Sequence, residues 1–287
     1  TPARLHKIAA ELGLSFEATT AAPSSDAVKL KPARVGLWDR YGGSMPAGWA
    51  RWILEQFEFP FDRVFAPTLD AGNLNNRFDA LIFVGGAIPP PGNSGRQREE
   101  SIIANVPPEY ANQQGRVTAE KTLPEIKRFL ENGGTVVAIG DSAANLAAYL
   151  RLPIQNHLVE NGAPLPRTKF YSPASLLEAR FDLTHPTTAG MNERTIVFFD
   201  NSPVFRLAPE AAAQGVKAIA WFDNKTPLRS GWAWGEERLA DGVIAIEARV
   251  GRGKALLFSP EILQRAQPHG TFKLLFNSIL YSSQPAK

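Results

Sequence analysis

The 287-residue chain has no cysteine, two methionines and four histidines. Without cysteine there is no disulfide, no thiolate metal ligand and no thiol nucleophile. No apolar run approaches the roughly 18–20 residues of a membrane-spanning helix. An excess of one charge is lacking too: 31 Lys and Arg against 28 Asp and Glu leave a net +3, with the basic residues scattered. A nucleic-acid surface needs them clustered. What remains is a composition 44% hydrophobic and 21% charged, that of a globular protein able to bury a large core. Cysteine-free proteins occur on both sides of the membrane, so the compartment stays open. No signal segment is legible, and a chain that starts at Thr1 reads as a piece of something longer.

The pattern divides at residue 34. Residues 4–12 predict a short amphipathic helix ended by Gly13, and 18–33, rich in Ala, Pro, Ser and Lys, read as a linker. Residues 1–33 therefore look like the tail of a preceding domain, and 34–283 like one compact domain. Strands are expected at 35–38, 61–65 and 78–84. Helices are expected at 47–57, with Trp49, Trp52, Ile53 and Phe57 on the apolar face, and at 117–132. Pro124 fits the second helix only in a first turn or at a kink. Residues 87–115 form a long Pro/Gly/Asn/Gln-rich loop, where Arg96, Gln97 and Arg98 read as solvated side chains or, secondarily, as a docking point for an anionic peptide terminus. Residues 153–215 are proline-rich without a long helix and read as an insertion over one end of the sheet. A strand at 216–222, a hairpin at 243–258 turning at Gly251-Arg252-Gly253, and a helix at 272–281 close the domain. The order predicts an α/β fold: a three-layer, flavodoxin-like, mostly parallel sheet.

The central stretch is 135–150. An apolar β-branched strand turns sharply at Gly140-Asp141-Ser142 into a helix, the corner at which many α/β hydrolases expose a nucleophile. Asp141 reads as a cap for that helix or as a carboxylate anchoring a ligand. Ser142 reads as a second cap or, with His269 and an orienting acid (Glu261 or Asp200), as a nucleophile. His157, Glu160 and His269 imitate a His-x-x-Glu…His zinc set, but the match is short and lies in the proline-rich segment. Trp232 and Trp234 point the same way if extended. Base rates favour core for both; exposed, they and Tyr41 would be interface anchors or aromatic walls for a carbohydrate or other small ligand.

Three segments together resemble class I glutamine amidotransferases. Asp79 to Gly86 is similar to their strand and Gly-Gly turn, 138–146 to their nucleophile elbow, and Ala255 to Glu261 to the strand ending in His-Pro-Glu. The resemblance implies a backbone oxyanion donor at Gly85-Gly86. It also implies a degenerate triad: Asp141 where the Cys belongs, Ser259 where the His belongs, and Glu261 in the place of the residue that orients the His. A wider set of anchors resembles the C-terminal amidotransferase-like domain of bacterial zinc carboxypeptidase-family proteins. These anchors are Gly48-Trp49, 106–110, 182–191, 198–203, Ser230-Gly231-Trp232, 235–237 and 264–277. That resemblance implies a pseudoenzyme: a non-catalytic accessory domain of a periplasmic or secreted metallocarboxypeptidase-like protein, packing on its peptidase domain or presenting substrate to it. It implies no cofactor in this chain, with zinc belonging to the absent peptidase domain. The alternatives are a hydrolase using Asp141, Ser142 and His269, or a carbohydrate- or small-ligand-binding module.

Overall fold

A computed structural model describes residues 2–18, 20–21, 30–92 and 106–283. Arg96, Gln97 and Arg98 lie outside the described residues. Helix α1 (Pro2–Leu12) buries none of its residues. The strands are β1 (Val35–Trp38), β2 (Asp62–Val64), β3 (Ala80–Phe83), β4 (Thr135–Ile139), β5 (Ile154–Asn156), β6 (Val159–Glu160), β7 (Ala163–Pro164), β8 (Ser175–Phe181), β9 (Arg194–Phe199), β10 (Phe205–Leu207), β11 (Val216–Trp221), β12 (Leu228–Ser230), β13 (Val243–Val250) and β14 (Gly253–Phe258). The remaining helices are α2 (Met45–Gln56), α3 (Ala66–Asp70), α4 (Thr122–Glu131), α5 (Asp141–Tyr149) and α6 (Phe272–Ser282).

The central sheet is parallel in the order β2-β1-β3-β4-β14, the flavodoxin-like 2-1-3-4-5 arrangement. Its inner strands β1, β3, β4 and β14 are buried at every position, as strands covered on both faces must be. The fold is therefore α/β, as the sequence predicts. Beyond β14 the sheet continues antiparallel through β13, β11 and β8. Residues 153–215 thus extend the sheet sideways, β8 pairing β9 in register from Ser175↔Phe199 to Arg180↔Arg194. Pro124 sits in the first turn of α4, where its missing N–H costs nothing.

Helix α2 departs from its expected face. It buries Ala47, Ala50, Ile53 and Leu54, while Trp52 is 45% exposed. Phe57, just past its end, packs on α6 with its ring centroid 4.9 Å from that of Phe276. A charged cluster lies under α6. The Lys254 ammonium donates to the Tyr281 carbonyl at 3.1 Å and sits 3.3 Å from that residue's ring centroid. Beside it the Glu247 carboxylate meets His185 Nε2 at 3.1 Å. Burial lowers Lys254 to about 8 and raises Tyr281 to about 12, helped by the adjacent Glu247 charge.

Candidate functional site

At the carboxyl ends of β3, β4 and β14 the chain makes the expected corner, but with its register one residue earlier. The strained position between β4 and α5 is Gly140, at φ 65° and ψ −137°. Such a conformation is almost confined to glycine, and it is the one a nucleophile elbow holds. Asp141 is instead the first residue of α5. This corrects the assignment of Asp141 to the nucleophile position: the residue there is a glycine, without a side chain. A Cβ built on Gly140 would lie 2.1 Å from Glu261 Oε1, and one on Gly85 2.9 Å from the same oxygen. Two glycines thus make room for the Glu261 carboxyl, which fills the space an elbow side chain would occupy.

Asp141 does not hold the N-cap place of its helix, which falls to Gly140. Its Oδ1 reaches across the crevice and accepts the Gly86 N–H at 2.7 Å. Ser142, fully buried, accepts the Ala87 and Ile88 N–H groups at 3.1 and 3.0 Å and donates to the Val84 carbonyl at 2.7 Å. Asn145 donates to the Ile88 carbonyl at 2.7 Å. The first turn of α5 is therefore bonded to the whole 84–88 turn. Three successive amides, including the implied oxyanion donor at Gly86, are already occupied by the protein's own acceptors. A working oxyanion hole holds such donors free for charge that develops during reaction.

Glu261 has no hydrogen-bond partner for its carboxyl among the described residues. Burial, then the charges of Asp141 and Asp200, raise it to about 7. Ser259 is fully buried and donates to the Ile244 carbonyl at 3.0 Å, so it is structural. His269 packs on Phe272 at 5.1 Å between ring centroids and lines a groove against β9. It makes no hydrogen bond with Asp141 or Ser142, and every hydrogen bond of the Ser142 hydroxyl is internal. The structure gives no Ser-His pair.

Nor does it assemble the imitated zinc set. His157 Nε2 lies 3.1 Å from the Arg238 carbonyl, and burial lowers the pKa of its ring. Glu160 pairs with Lys169 and Arg238. Among the described residues no group of three or more His, Asp or Glu is arranged to hold a metal.

Trp232 and Trp234 are 52% and 55% exposed, against the base-rate expectation of core. Gly231 (φ +96°) and Gly235 (φ +75°) flank the pair, each passing so close to Ser175 or the Lys169 carbonyl that no Cβ fits. Ser175 Oγ accepts the Trp232 N–H at 3.0 Å, and Trp234 exchanges backbone bonds with Tyr171 at 2.8 and 3.0 Å. The Trp234 indole donates to the Thr168 carbonyl at 2.8 Å. Tyr41 lies elsewhere, half-buried, 6.1 Å from Tyr110 between ring centroids. Sequence places Gly140 and Asn145 in the elbow segment but does not show that Gly140 holds the strained position, that Asn145 bonds the 84–88 turn, or that a groove lies beside His269. The pair Ile139-Gly140 before a helix start was the available signal for the first.

No protein-family model matches the chain. No curated protein matches it either. Among solved structures it is similar to a protein described as ThuA-like from Bacteroides uniformis, with 10% identity, TM-score 0.51, and 91% of this chain and 95% of that one covered. It is similar to a protein described as a GMP synthase subunit from Thermoplasma acidophilum, with 10% identity, TM-score 0.50 and coverages of 86% and 92%. PurLQS from Thermotoga maritima also matches, at 14% identity and TM-score 0.50, covering 88% of this chain and 100% of that one. At such identities the likeness is one of architecture. The chain carries a glutamine amidotransferase-like α/β fold.

Proposed function

We propose that residues 34–283 are a non-catalytic amidotransferase-like domain, the accessory part of a secreted or periplasmic zinc carboxypeptidase-family protein. In this reading it packs on the peptidase domain or presents substrate to it. The observation that carries the non-catalytic part is the corner itself: Gly140 at the elbow, Glu261 in the space beside it, and the Gly86 donor taken by Asp141. Covalent amide transfer needs an activated nucleophile and a base within reach, and both of the corner's hydroxyl groups are spent on backbone carbonyls. Support for the peptidase context is the set of sequence anchors, together with a leading helix that buries nothing of its own.

The test has two arms. The purified chain is assayed with glutamine, with activated esters and with peptides bearing a free carboxyl end. No turnover is expected, and turnover abolished by Asp141→Ala or Glu261→Gln would overturn the reading. In the second arm a zinc carboxypeptidase domain with a matching tail is supplied in trans, and co-migration is expected. A second reading, a carbohydrate- or small-ligand-binding module, is favoured by the exposure of both indoles on a loop braced at each end. Glycan binding lost in Trp232→Ala would select it.

A further inference from the structure

Away from the corner, a groove of about 590 Å³ runs between the outer face of the β8–β9 ribbon and the segment leading into α6. That volume suits a small organic ligand. The outward positions of an antiparallel ribbon are usually polar. Here Leu176 and Phe198 are paired outward across the ribbon, with Ile196 two residues from Phe198 on the same strand. Leu176 and Ile196 stay 38% and 37% exposed, an apolar floor left open to solvent. Met191 adds to the apolar wall, and the opposite wall carries His269 and Lys273.

Glu178, opposite Ile196 on the same outward face, is paired with Arg229 at 2.8 Å and Arg194 at 3.4 Å. No Asp or Glu lines the groove. Arg194, at its edge, is neutralised by a two-pronged contact to Asp223, at 2.9 and 2.5 Å. Lys273 and His269 have no carboxylate partner among the described residues. The Lys273 ammonium donates to the Gly190 carbonyl, which leaves two of its three protons for a ligand. The first turn of α6 has no side-chain cap, so its positive end adds to the same field. An apolar floor beneath an ammonium with free protons and an imidazole able to donate suits an apolar body bearing a carboxylate.

We propose that this groove is a binding site for small carboxylates with an apolar body, the head held by Lys273 and His269 and the body lying on Leu176, Ile196 and Phe198. The proposal goes beyond the accessory-domain reading and does not rest on it, since the corner residues take no part. Two sources share the chemistry, a fatty-acid chain and the apolar carboxyl end of a peptide. They are probed with decanoate and with N-acetyl-Leu-Phe.

The experiment is calorimetric titration of the full chain with each acid, and with decanol and N-acetyl-Leu-Phe-amide as partners lacking the charge. At least one acid is expected to saturate with a Kd below about 1 mM, and its neutral partner to bind at least about tenfold more weakly, as loss of a charge-assisted bond requires. Lys273→Met with His269→Gln should remove the preference for the acid. Ile196→Ser, on the surface and so safe for folding, should weaken acid and neutral partner alike. Which acid saturates names the source. No saturation by either acid, equal binding of acid and neutral partner, or binding unchanged in the Lys273/His269 variant would each overturn the proposal. Failure here leaves the turnover and co-migration tests of the accessory reading untouched.

Discussion

Replacing Glu261 by glutamine keeps the shape of the side chain and removes its ability to ionise. In the folded protein this carboxyl holds its proton up to about pH 7, because it is buried and faces Asp141 and Asp200. In the unfolded chain it releases the proton near the ordinary 4.5. Between those values the folded state binds more protons, so the wild-type protein loses stability as pH rises, and the loss is complete above about 7. At ~1.36 kcal/mol per pH unit the difference between 4.5 and about 7 is worth about 3 kcal/mol. Glu261→Gln should therefore match the wild type below pH 4.5 and exceed it by up to about 3 kcal/mol at pH 8. For a domain of this size that is a Tm advantage of roughly 6–10 °C. Urea unfolding of both proteins at a series of pH values from 4.5 to 8 measures it. In an Asp141→Asn background the two curves should still part near pH 4.5, but the gap should close off at a lower pH and a smaller size, since Asp141 is the larger of the two charges acting on Glu261. A stability difference that stays constant within about 0.5 kcal/mol across the range would refute the reasoning. The Glu261 carboxyl would then ionise normally, and its burial at the elbow would be wrong.

Three further outcomes follow from the same structure. Gly140→Ser should cost about 1–3 kcal/mol through backbone strain alone, without creating hydrolytic activity. Pairing it with Glu261→Ala should recover only the part due to crowding, which a double-mutant cycle in urea separates. Ser142→Ala should cost about 1–3 kcal/mol by orphaning the buried Ile88 amide, while the Ala87 N–H keeps its bond to the Val84 carbonyl at 3.1 Å; a lower urea midpoint would show it. Lys254→Met tests the cluster under α6. The folded protein releases that proton near pH 8 while the unfolded chain keeps it to 10.5, so wild-type stability should rise with pH above about 8. The rise should end near pH 10, where Tyr281, held protonated to about 12 in the fold, begins to act in the opposite direction. The methionine variant should lack the rise in the same urea series.

Much of the parallel sheet was legible because its strands are continuous apolar runs bounded by glycine or proline, as at 80–83 and 135–139. The antiparallel extension was harder to see. Strand β8 alternates cleanly between buried and outward positions from Ser175 to Phe181, but the many prolines of 153–215 suit an insertion over one end of the sheet equally well. The corner was placed one residue late because the deciding quantity is a backbone angle. Gly140 and Asp141 are equally plausible at a turn, and only the positive φ of Gly140 singles it out. The two tryptophans show the limit of composition. Indoles are usually core, yet here both stay exposed between two glycines at close approaches. His269 lies beside the closing helix in sequence, which fixes its height along the fold but not which side of the sheet it serves.

Asp141, Ser142 and Asn145 hold the 84–88 turn with five hydrogen bonds from a single helical turn and a half. A free amide at Gly86 would take the loss of the Asp141 carboxylate, and a side chain at residue 140 would take the withdrawal of Glu261. The bonds that fix the 84–88 turn are the same ones that fill its donors, so the rigidity of this corner and its closed amides are a single feature.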